Sequence, residues 1–335
     1  MSPAKEVVEN GKIAQHSRRA IDRIGYLAGK LRNPRLFLRS ASYKIFSLAL
    51  RWPSRRLGDV SYLRRLYYLA QPKDAVLCAR TECGLFNINT SDLVIGLETY
   101  VHRKAYDVEK LKLVCNLLPA DHSKELIVDI GANIGTICVS AVASFGFQKA
   151  KAFEPESKNY RLLESNVALN GLGSKIALNN LALSDRSTTS LDFELSPINF
   201  GDHRVRVSSE FQGSQGEELR EVITVPAKCL DDFSQDYSKV DTLIWIDVQG
   251  FEGGVLAGAS AVIDRRIPMC IEFWPYGLKK SKTFEALLSA LADAQYDSII
   301  DLRSPEKRLQ FSCDLLLDIA EKLGDEGAST DLLIV

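Results

Sequence analysis

The chain has 335 residues, 46% of them hydrophobic and 25% charged, and its formal net charge is −1 at pH 7. This composition is typical of a globular protein and leaves room for one large domain plus an extension. No apolar run reaches the roughly 18 residues that a membrane span needs. The polar segment Met1–Asn10 carries Glu6 and Glu9 and does not resemble a secretory signal, so we expect a cytoplasmic protein.

Cysteine and histidine are placed without a metal-binding pattern. The seven cysteines include no C-x-x-C pair, and several lie inside apolar runs. None of the four histidines is paired with another at helical spacing. We therefore predict reduced core cysteines and no zinc site.

The charge is divided unevenly along the chain. Residues 1–65 hold 15 Lys or Arg and 4 Asp or Glu, which gives +11 and leaves −12 for the remainder. Apolar and basic residues alternate there at roughly helical spacing, so a helical N-terminal arm is predicted over residues 1–75. The arm could lie on an anionic membrane face or bind an acidic partner, which would place the protein at the inner face of a membrane. Its aromatic residues favour the alternative, a helical cap packed on the acidic body.

Beyond a lead-in over residues 76–120, strands and helices alternate. The lead-in contains a short strand, Leu85–Asn89, and a helix from about Ala105. Over residues 121–335 the alternation predicts a Rossmann-like α/β domain with a seven-stranded sheet. The insert at about 185–226 contains alternating stretches that predict a small β addition. The seven predicted strands are 126–129, 150–153, 176–183, 242–246, 269–273, 296–302 and 332–335.

A glycine-containing turn follows the first of these strands, in the segment Val128-Asp-Ile-Gly-Ala-Asn-Ile-Gly135. Glycine lets a backbone approach a ligand closely, and the helix that follows offers free N–H groups. A dinucleotide-binding G-x-G-x-x-G would need glycine at Asn133 and Thr136, so the pattern argues against NAD. It fits the D-x-G-x-x-x-G turn of methyltransferases, and Asp129 is predicted to bind the ammonium of a methionine moiety.

Two further acids follow strand ends. Glu154, in Phe153-Glu154-Pro155, lies about 20 residues beyond the turn, where an acid binds ribose hydroxyls in nucleoside-binding folds. Asp247 follows the strand predicted to lie beside the first one, so it should face the transferred methyl group. Capping of the following helix explains Glu154 alone, but it does not explain two acids at strand ends.

Together with Asn166, Asn170, Ala182-Leu-Ser-Asp185, Leu230-Asp-Asp232 and Ile246-Asp-Val-Gln-Gly-x-Glu252, these motifs resemble the FkbM family of S-adenosylmethionine-dependent methyltransferases. The resemblance covers about Leu85–Val335. It implies that the seven-stranded sheet is that of a class I methyltransferase, and that the reaction is O-methylation of a sugar or secondary-metabolite hydroxyl. It departs at Gln249, where the family usually has Glu. The predicted cofactor-binding residues are Asp129, Gly131, Asn133, Gly135, Glu154, Ala182 and Leu183.

Methyl transfer to an alcohol needs an aligned oxygen and a group that removes its proton. His203, in the insert block Asn199-Phe-Gly-Asp-His-Arg204, is the leading candidate for this base, because histidine titrates near neutrality. Asp247 and Glu272 are the next candidates. A loop histidine that only orders the insert is an equally good interpretation of His203.

Two other functions stay open at this point. Gln249 is the only hint of a scaffold or cofactor-binding protein that has lost catalysis, and an NAD-dependent oxidoreductase is the weaker alternative. The predicted acceptor is a hydroxyl on a glycan or glycolipid, which a basic arm could reach at a membrane surface. No nucleic-acid partner is predicted, and the oligomeric state stays open.

Overall fold

The computed structural model describes residues 60–207, 220–235, 237–292, 294–324 and 327–335. The chain divides into two units, Met1–Pro72 and Lys73–Val335. The described part of the first unit contains helix α1, Val60–Leu69. The rest of the predicted basic arm, with its proposed membrane or partner contacts, lies outside the described residues.

The second unit is built on an eight-stranded sheet. Its strands are β3 Leu126–Ile130, β4 Lys149–Phe153, β5 Ile176–Asn179, β10 Thr242–Ile246, β11 Met269–Phe273, β12 Ser298–Asp301, β13 Leu309–Gln310 and β14 Thr330–Ile334. The order across the sheet is β13-β12-β14-β11-β10-β3-β4-β5. Five parallel strands occupy one side, and β14 runs antiparallel between β11 and β12.

The predicted Rossmann-like sheet is confirmed, with two differences. The expected third strand, 176–183, ends at Asn179, and its last residues form a separate strand, β6 Ala182–Leu183, in another sheet. The eighth strand, β13, has only two residues and pairs antiparallel with β12. A strand of two residues has no apolar pattern of its own and is defined by its partner, so the sequence does not predict β6 or β13.

Helices connect and flank the strands. The helix expected from about Ala105 begins at Val108, and a further helix over Ile95–His102 was not predicted. The described helices of the second unit are α2 Ile95–His102, α3 Val108–Leu117, α4 Thr136–Ser144, α5 Ser157–Leu169, α6 Glu252–Leu256, α7 Ser260–Asp264, α8 Pro275–Lys280, α9 Phe284–Ala292 and α10 Cys313–Leu323, with a 3₁₀ turn at Leu230–Phe233.

The central strands are apolar on both faces because helices cover both sides of a parallel sheet. Every residue of β10 is buried, and so are four of the five residues of β3. The only charged side chain among those four is Asp129, which lies near the carboxyl end of its strand. The core thus explains the apolar runs of the sequence and leaves the acids at strand ends to be explained by the site.

The insert forms a small second sheet, as predicted. Strands β7 Ser190–Leu195, β8 Arg204–Val205 and β9 Glu221–Lys228 join β6 in the order β6-β9-β7-β8. Its apolar face packs Phe193, Val225 and Ala227 against Ala182. Because β6 follows β5 directly, this sheet carries the insert residues toward the carboxyl ends of the main strands.

A hairpin of β1 Val76–Thr81 and β2 Gly84–Asn89 is bound by two asparagine side chains, one in α5 and one directly after it. The Asn166 amide accepts from the Asn87 N–H at 2.6 Å and donates to the Asn87 carbonyl at 3.2 Å. Asn170 pairs with Leu85 in the same way, at 2.9 and 2.7 Å. These two asparagines, part of the family-like pattern, therefore bind the hairpin rather than a ligand.

None of the described helices is long and apolar enough to cross a membrane. In the described ranges, no group of three or more His, Cys, Asp or Glu side chains is placed to hold a metal ion.

Candidate active site

The loops that follow β3, β4 and β10 meet at one edge of the sheet. The strand register pairs Ile130 with both Ile246 and Phe153, so the next residue of each strand lies beside the other two. The Gly131 N–H donates to the Phe153 carbonyl at 3.0 Å, and the Asp247 N–H donates to the Ile130 carbonyl at 3.0 Å. This edge is where open α/β sheets bind their ligands.

Gly131 is required at the centre of this junction. Its φ of +86° is in the left-handed region, and a Cβ there would lie 1.9 Å from the Asp247 carbonyl oxygen. No side chain fits that gap without moving the backbone of the loop after β10. The glycine therefore holds the turn after β3 in direct contact with the loop that carries Asp247.

Glu154 is buried beside the turn and is held by main-chain donors. One carboxylate oxygen accepts from the Asn133 N–H at 2.9 Å, and the other accepts from the Glu156 N–H at 2.8 Å. Burial raises the pKa of Glu154 to about 8, although these two donors oppose the shift. The carboxyl group is thus fixed in direction and poised to change its charge near neutral pH.

Two predicted cofactor residues lie outside the cavity wall. Asp129 is buried, and its Oδ2 accepts from the Cys138 N–H at 3.0 Å. Burial raises the pKa of Asp129 to about 7, with a further contribution from the charge of Asp247. Gly135 instead makes room for a neighbour, because a Cβ there would lie 2.6 Å from Leu163 Cδ1.

A cavity of about 650 Å³, including its part open to solvent, lies over this edge. Its wall includes seven residues predicted from the sequence: Gly131, Asn133, Glu154, Ala182, Leu183, His203 and Asp247.

The insert covers the cavity through Phe200. Its carbonyl oxygen accepts from Asn133 Nδ2 at 2.7 Å and from Asn159 Nδ2 at 3.1 Å. Main-chain anchoring of this kind fixes Phe200 directly over the turn after β3. The sequence block Asn199-Phe-Gly-Asp-His-Arg204 signals the importance of the insert, but not this anchoring role of its phenylalanine.

Asp247 lies in the cavity wall and is linked to Glu272 by an amide. Gln249 Nε2 donates to Asp247 Oδ1 at 2.5 Å and to Glu272 Oε2 at 2.9 Å. Burial, together with the charges of Asp247 and Glu252, raises the pKa of Glu272 well above its ordinary value. The predicted candidates Asp247 and Glu272 are therefore joined through the one residue that departs from the family pattern, and only Asp247 of the pair lines the cavity.

His203 reaches the cavity in a form that disfavours general-base catalysis. Its Nδ1 accepts from the Ser196 N–H at 2.9 Å, so the ring proton of the neutral imidazole is on Nε2. Burial, with the charges of Arg220 and Lys158, lowers the pKa of His203 to about 3. In this tautomer Nε2 carries the ring proton, so it can serve as a hydrogen-bond donor but not as a base.

Sequence reasoning missed several wall residues. Val248 and Phe251 belong to the motif loop after β10, and Phe193 to the insert strand β7. Asn133 and Gln249 have left-handed backbones, with φ values of 50° and 55°. Non-glycine residues rarely adopt this conformation, and asparagine is enriched there, which agrees with the prediction of Asn133 as a site residue.

The sheet with its antiparallel β14, and the D-x-G-x-x-x-G turn at the cavity, agree with the methyltransferase fold that the sequence predicts. The model of the methyltransferase FkbM domain matches residues 129–298. The chain belongs to the FkbM methyltransferase family. A comparison with curated proteins gave no match.

Solved structures similar to this chain include methyltransferases. A methyltransferase FkbM from Methylobacillus flagellatus KT is 13% identical with a TM-score of 0.38, and the match covers 90% of this chain and 60% of that one. M. jannaschii TYW2, in complex with AdoMet, is 10% identical with a TM-score of 0.37 and coverages of 79% and 86%. The B. subtilis M1A22 tRNA methyltransferase TrmK is 13% identical with a TM-score of 0.33 and coverages of 68% and 64%. The chain thus spans about 60% of the length of the Methylobacillus protein.

Membership of the FkbM methyltransferase family implies S-adenosylmethionine as the cofactor. The residues present fit it, because the cavity combines a glycine turn that admits close approach, a fixed carboxyl group at Glu154 and apolar wall residues at Ala182 and Leu183. When bound, S-adenosylmethionine supplies a methyl group activated by its sulfonium charge.

Proposed function

We propose that this protein is an O-methyltransferase acting on a hydroxyl of a sugar or secondary metabolite. The observation that carries the proposal is the position of Asp247, an acidic residue in the cavity wall whose backbone contacts the turn after β3. An alcohol oxygen must lose its proton as it gains a methyl group, and a carboxylate at that place can accept it. The remaining wall is largely apolar, which favours removal of water from the reacting oxygen.

The cofactor end of the cavity is assigned to Glu154 and the turn after β3. Both Glu154 oxygens accept from main-chain N–H groups, and each retains a lone pair that can accept from a ribose hydroxyl. Asp129 is proposed to act indirectly, from outside the cavity wall. Its carboxylate accepts from the Cys138 N–H and so fixes the first turn of α4. This differs from the direct ammonium contact that the sequence predicts.

The acceptor end is assigned to Asp247 and His203. Asp247 takes the hydroxyl proton, while the Nε2–H of His203 donates to an acceptor oxygen and orients it. His203 was the leading base in the sequence analysis, and the hydrogen bond at its Nδ1 now favours Asp247 for that role. Glu272 lies behind Gln249 and supports Asp247 without facing the cavity.

Glycans and glycolipids are the proposed acceptor class, with the basic residues 1–65 bringing the protein to an anionic membrane surface. The test is an acceptor screen with methyl-labelled S-adenosylmethionine, read out as labelled product and S-adenosylhomocysteine. Calorimetry with S-adenosylmethionine and with NAD is the matched binding control. Cofactor binding without turnover on any hydroxyl acceptor would support the scaffold alternative, and transfer to nitrogen would overturn O-methylation.

A further inference from the structure

Gln249 occupies the position between the two acidic side chains of the site. Its amide nitrogen has two hydrogens, and the two acceptors are Asp247 Oδ1 at 2.5 Å and Glu272 Oε2 at 2.9 Å. Both N–H groups of the one amide therefore donate to carboxyl groups, one to each acid. The bridge separates them, so they cannot share a proton as a directly paired carboxyl dyad does.

The surroundings of this bridge are strongly acidic. Three of the neighbouring carboxyl groups are those of Asp129 in β3, Glu252 in α6 and Asp331 in β14. Among the described titratable groups around the bridge, Lys110 is the one cation. Lys110 Nζ forms ion pairs with Asp107 at 3.2 Å and with Asp331 at 2.9 Å. Its positive charge therefore mainly offsets those two carboxylates rather than Asp247 and Glu272. The titratable groups facing Asp247 and Glu272 are Tyr106, Asp107, Lys110, Asp129, Glu252, Cys270 and Asp331.

A carboxyl group at position 249 would behave differently from the amide. It would donate to Asp247 only while it is protonated, and it would repel both neighbours once ionised. The behaviour of Glu272, whose pKa burial and Asp247 raise, shows which way this environment shifts a carboxyl group. An amide does not titrate, so its donor is present at every pH.

The backbone supports a fixed role for this side chain. Gln249 has a φ of 55°, in the left-handed region that glutamine rarely adopts. Glu252 fixes the loop around it, because its Oε1 accepts from the Val248 and Gly250 N–H groups, each at 3.1 Å. The neighbouring Gly250 packs against Gly277 so closely that a Cβ would lie 2.6 Å from that backbone. The loop therefore presents the amide from a constrained position.

We propose that Gln249 is a positioning residue that holds Asp247 as the proton acceptor through a donor that never titrates. The inference rests on the proposed function and assigns a constructive role to the residue that was the only hint of lost catalysis. In this interpretation the amide keeps its hydrogen bond to Asp247 at every pH, which a glutamate at position 249 would not do.

The test compares Gln249→Glu with Gln249→Asn. Asparagine keeps an amide and tolerates the left-handed backbone, but it is one methylene shorter and cannot bridge both acids. Affinities for S-adenosylmethionine and S-adenosylhomocysteine are measured by calorimetry across the pH range. These ligands differ by a methyl group and one positive charge at sulfur, so their ratio reports the charge beside Asp247 without any acceptor.

Gln249→Glu should prefer S-adenosylmethionine over S-adenosylhomocysteine increasingly as pH rises, by roughly tenfold relative to wild type for one added charge nearby. Its turnover on an acceptor from the screen should fall over the same range, since the donor is lost when the new carboxyl group ionises. Gln249→Asn should lose turnover at all pH values while the ratio of the two affinities stays at the wild-type value.

A Gln249→Glu ratio that follows the wild-type pH profile would overturn the proposal, and so would wild-type turnover in Gln249→Asn. If no hydroxyl acceptor is ever methylated, the proposed function fails. The two affinities still decide whether the amide controls the charge beside Asp247.

Discussion

The two carboxyl groups in the cavity wall are held in opposite ways. Glu154 is fixed by N–H groups of the main chain, from Asn133 and Glu156. Asp247 is fixed by a side-chain amide, that of Gln249. Main-chain donors persist through most substitutions, whereas a side-chain donor can be changed by a single one. The contrast indicates that the contacts of Glu154, at the proposed cofactor end, resist substitution. The contact of Asp247, at the proposed acceptor end, can be changed by one substitution at Gln249.

The largest effect should follow from Asp247→Asn, which removes the proposed proton acceptor but keeps the shape. Turnover is expected to fall by roughly 10²–10⁴-fold, the usual scale of general-base catalysis. Affinity for S-adenosylhomocysteine should change far less, because that ligand lacks the positive charge at sulfur. Single-turnover kinetics with an acceptor from the screen check this, and a variant that keeps most of its turnover would remove Asp247 from the mechanism.

Gly131→Ala should damage both ends of the site together. The added Cβ would lie 1.9 Å from the Asp247 carbonyl oxygen, so the two loops must separate and cofactor affinity should be lost. We expect a destabilisation of about 1–3 kcal/mol from overpacking, in addition to backbone strain. Gly171→Ala is the matched control, since Gly171 has a φ of +68° and a Cβ added there would meet nothing within 4 Å. Denaturant unfolding and calorimetry should show strain alone in the control; equal losses in both variants would contradict the close-approach role.

His203 gives a smaller effect that separates donor from base. His203→Ala should lower turnover by about tenfold, the scale of one lost hydrogen bond. His203→Gln, which can still donate, should retain most of the activity. Because the pKa of His203 is lowered to about 3, the rate should show no histidine titration between pH 5 and pH 8. A glutamine variant as impaired as the alanine variant would restore His203 as the base.

The smallest expected effect is the release of a fraction of a proton from Glu154 when the cofactor binds. Its pKa is raised to about 8, so much of this carboxyl group is protonated at pH 7. Ribose hydroxyls donating to it favour the charged form, so cofactor binding should release a fraction of a proton. Calorimetry in buffers of different ionisation enthalpy measures that release, which Glu154→Gln should abolish and Glu164→Gln, on the exposed side of α5, should leave unchanged. Equal proton release in wild type and Glu154→Gln would show that another group titrates.

The same pKa shift has a consequence for stability with a definite sign. A buried carboxyl group with a raised pKa stabilises the fold fully below its unfolded value, near 4.5, and this contribution is lost as pH rises through about 8. The free energy of unfolding without cofactor should therefore decline across that window, and Glu154→Gln should flatten the decline. Urea titrations at several pH values measure it, and parallel profiles for the two proteins would contradict the assignment.

The sequence predicts the parts of this fold that are local. Buried parallel strands such as β3 and β10 are apolar runs, and the acids after them mark the carboxyl edge of the sheet. The cavity cover is different, because Phe200 is held by Asn133 and Asn159, which are distant in the chain. The tautomer of His203 likewise depends on the Ser196 N–H, a contact that no spacing rule encodes. Residue type suggested a base, and only the geometry showed a donor.

Asn166 of α5 and Asn170, which directly follows that helix, have a consequence for how the molecule meets copies of itself. Strand β2 pairs with β1 on one side, and its other edge presents the N–H and carbonyl groups of Leu85 and Asn87. An open edge of this kind is a template on which another chain can add a strand and begin to aggregate. The carboxamides of Asn166 and Asn170 occupy those groups as a neighbouring strand would. Two asparagine side chains thus satisfy the hydrogen-bonding groups of an edge that other sheet proteins often protect with charged residues or proline.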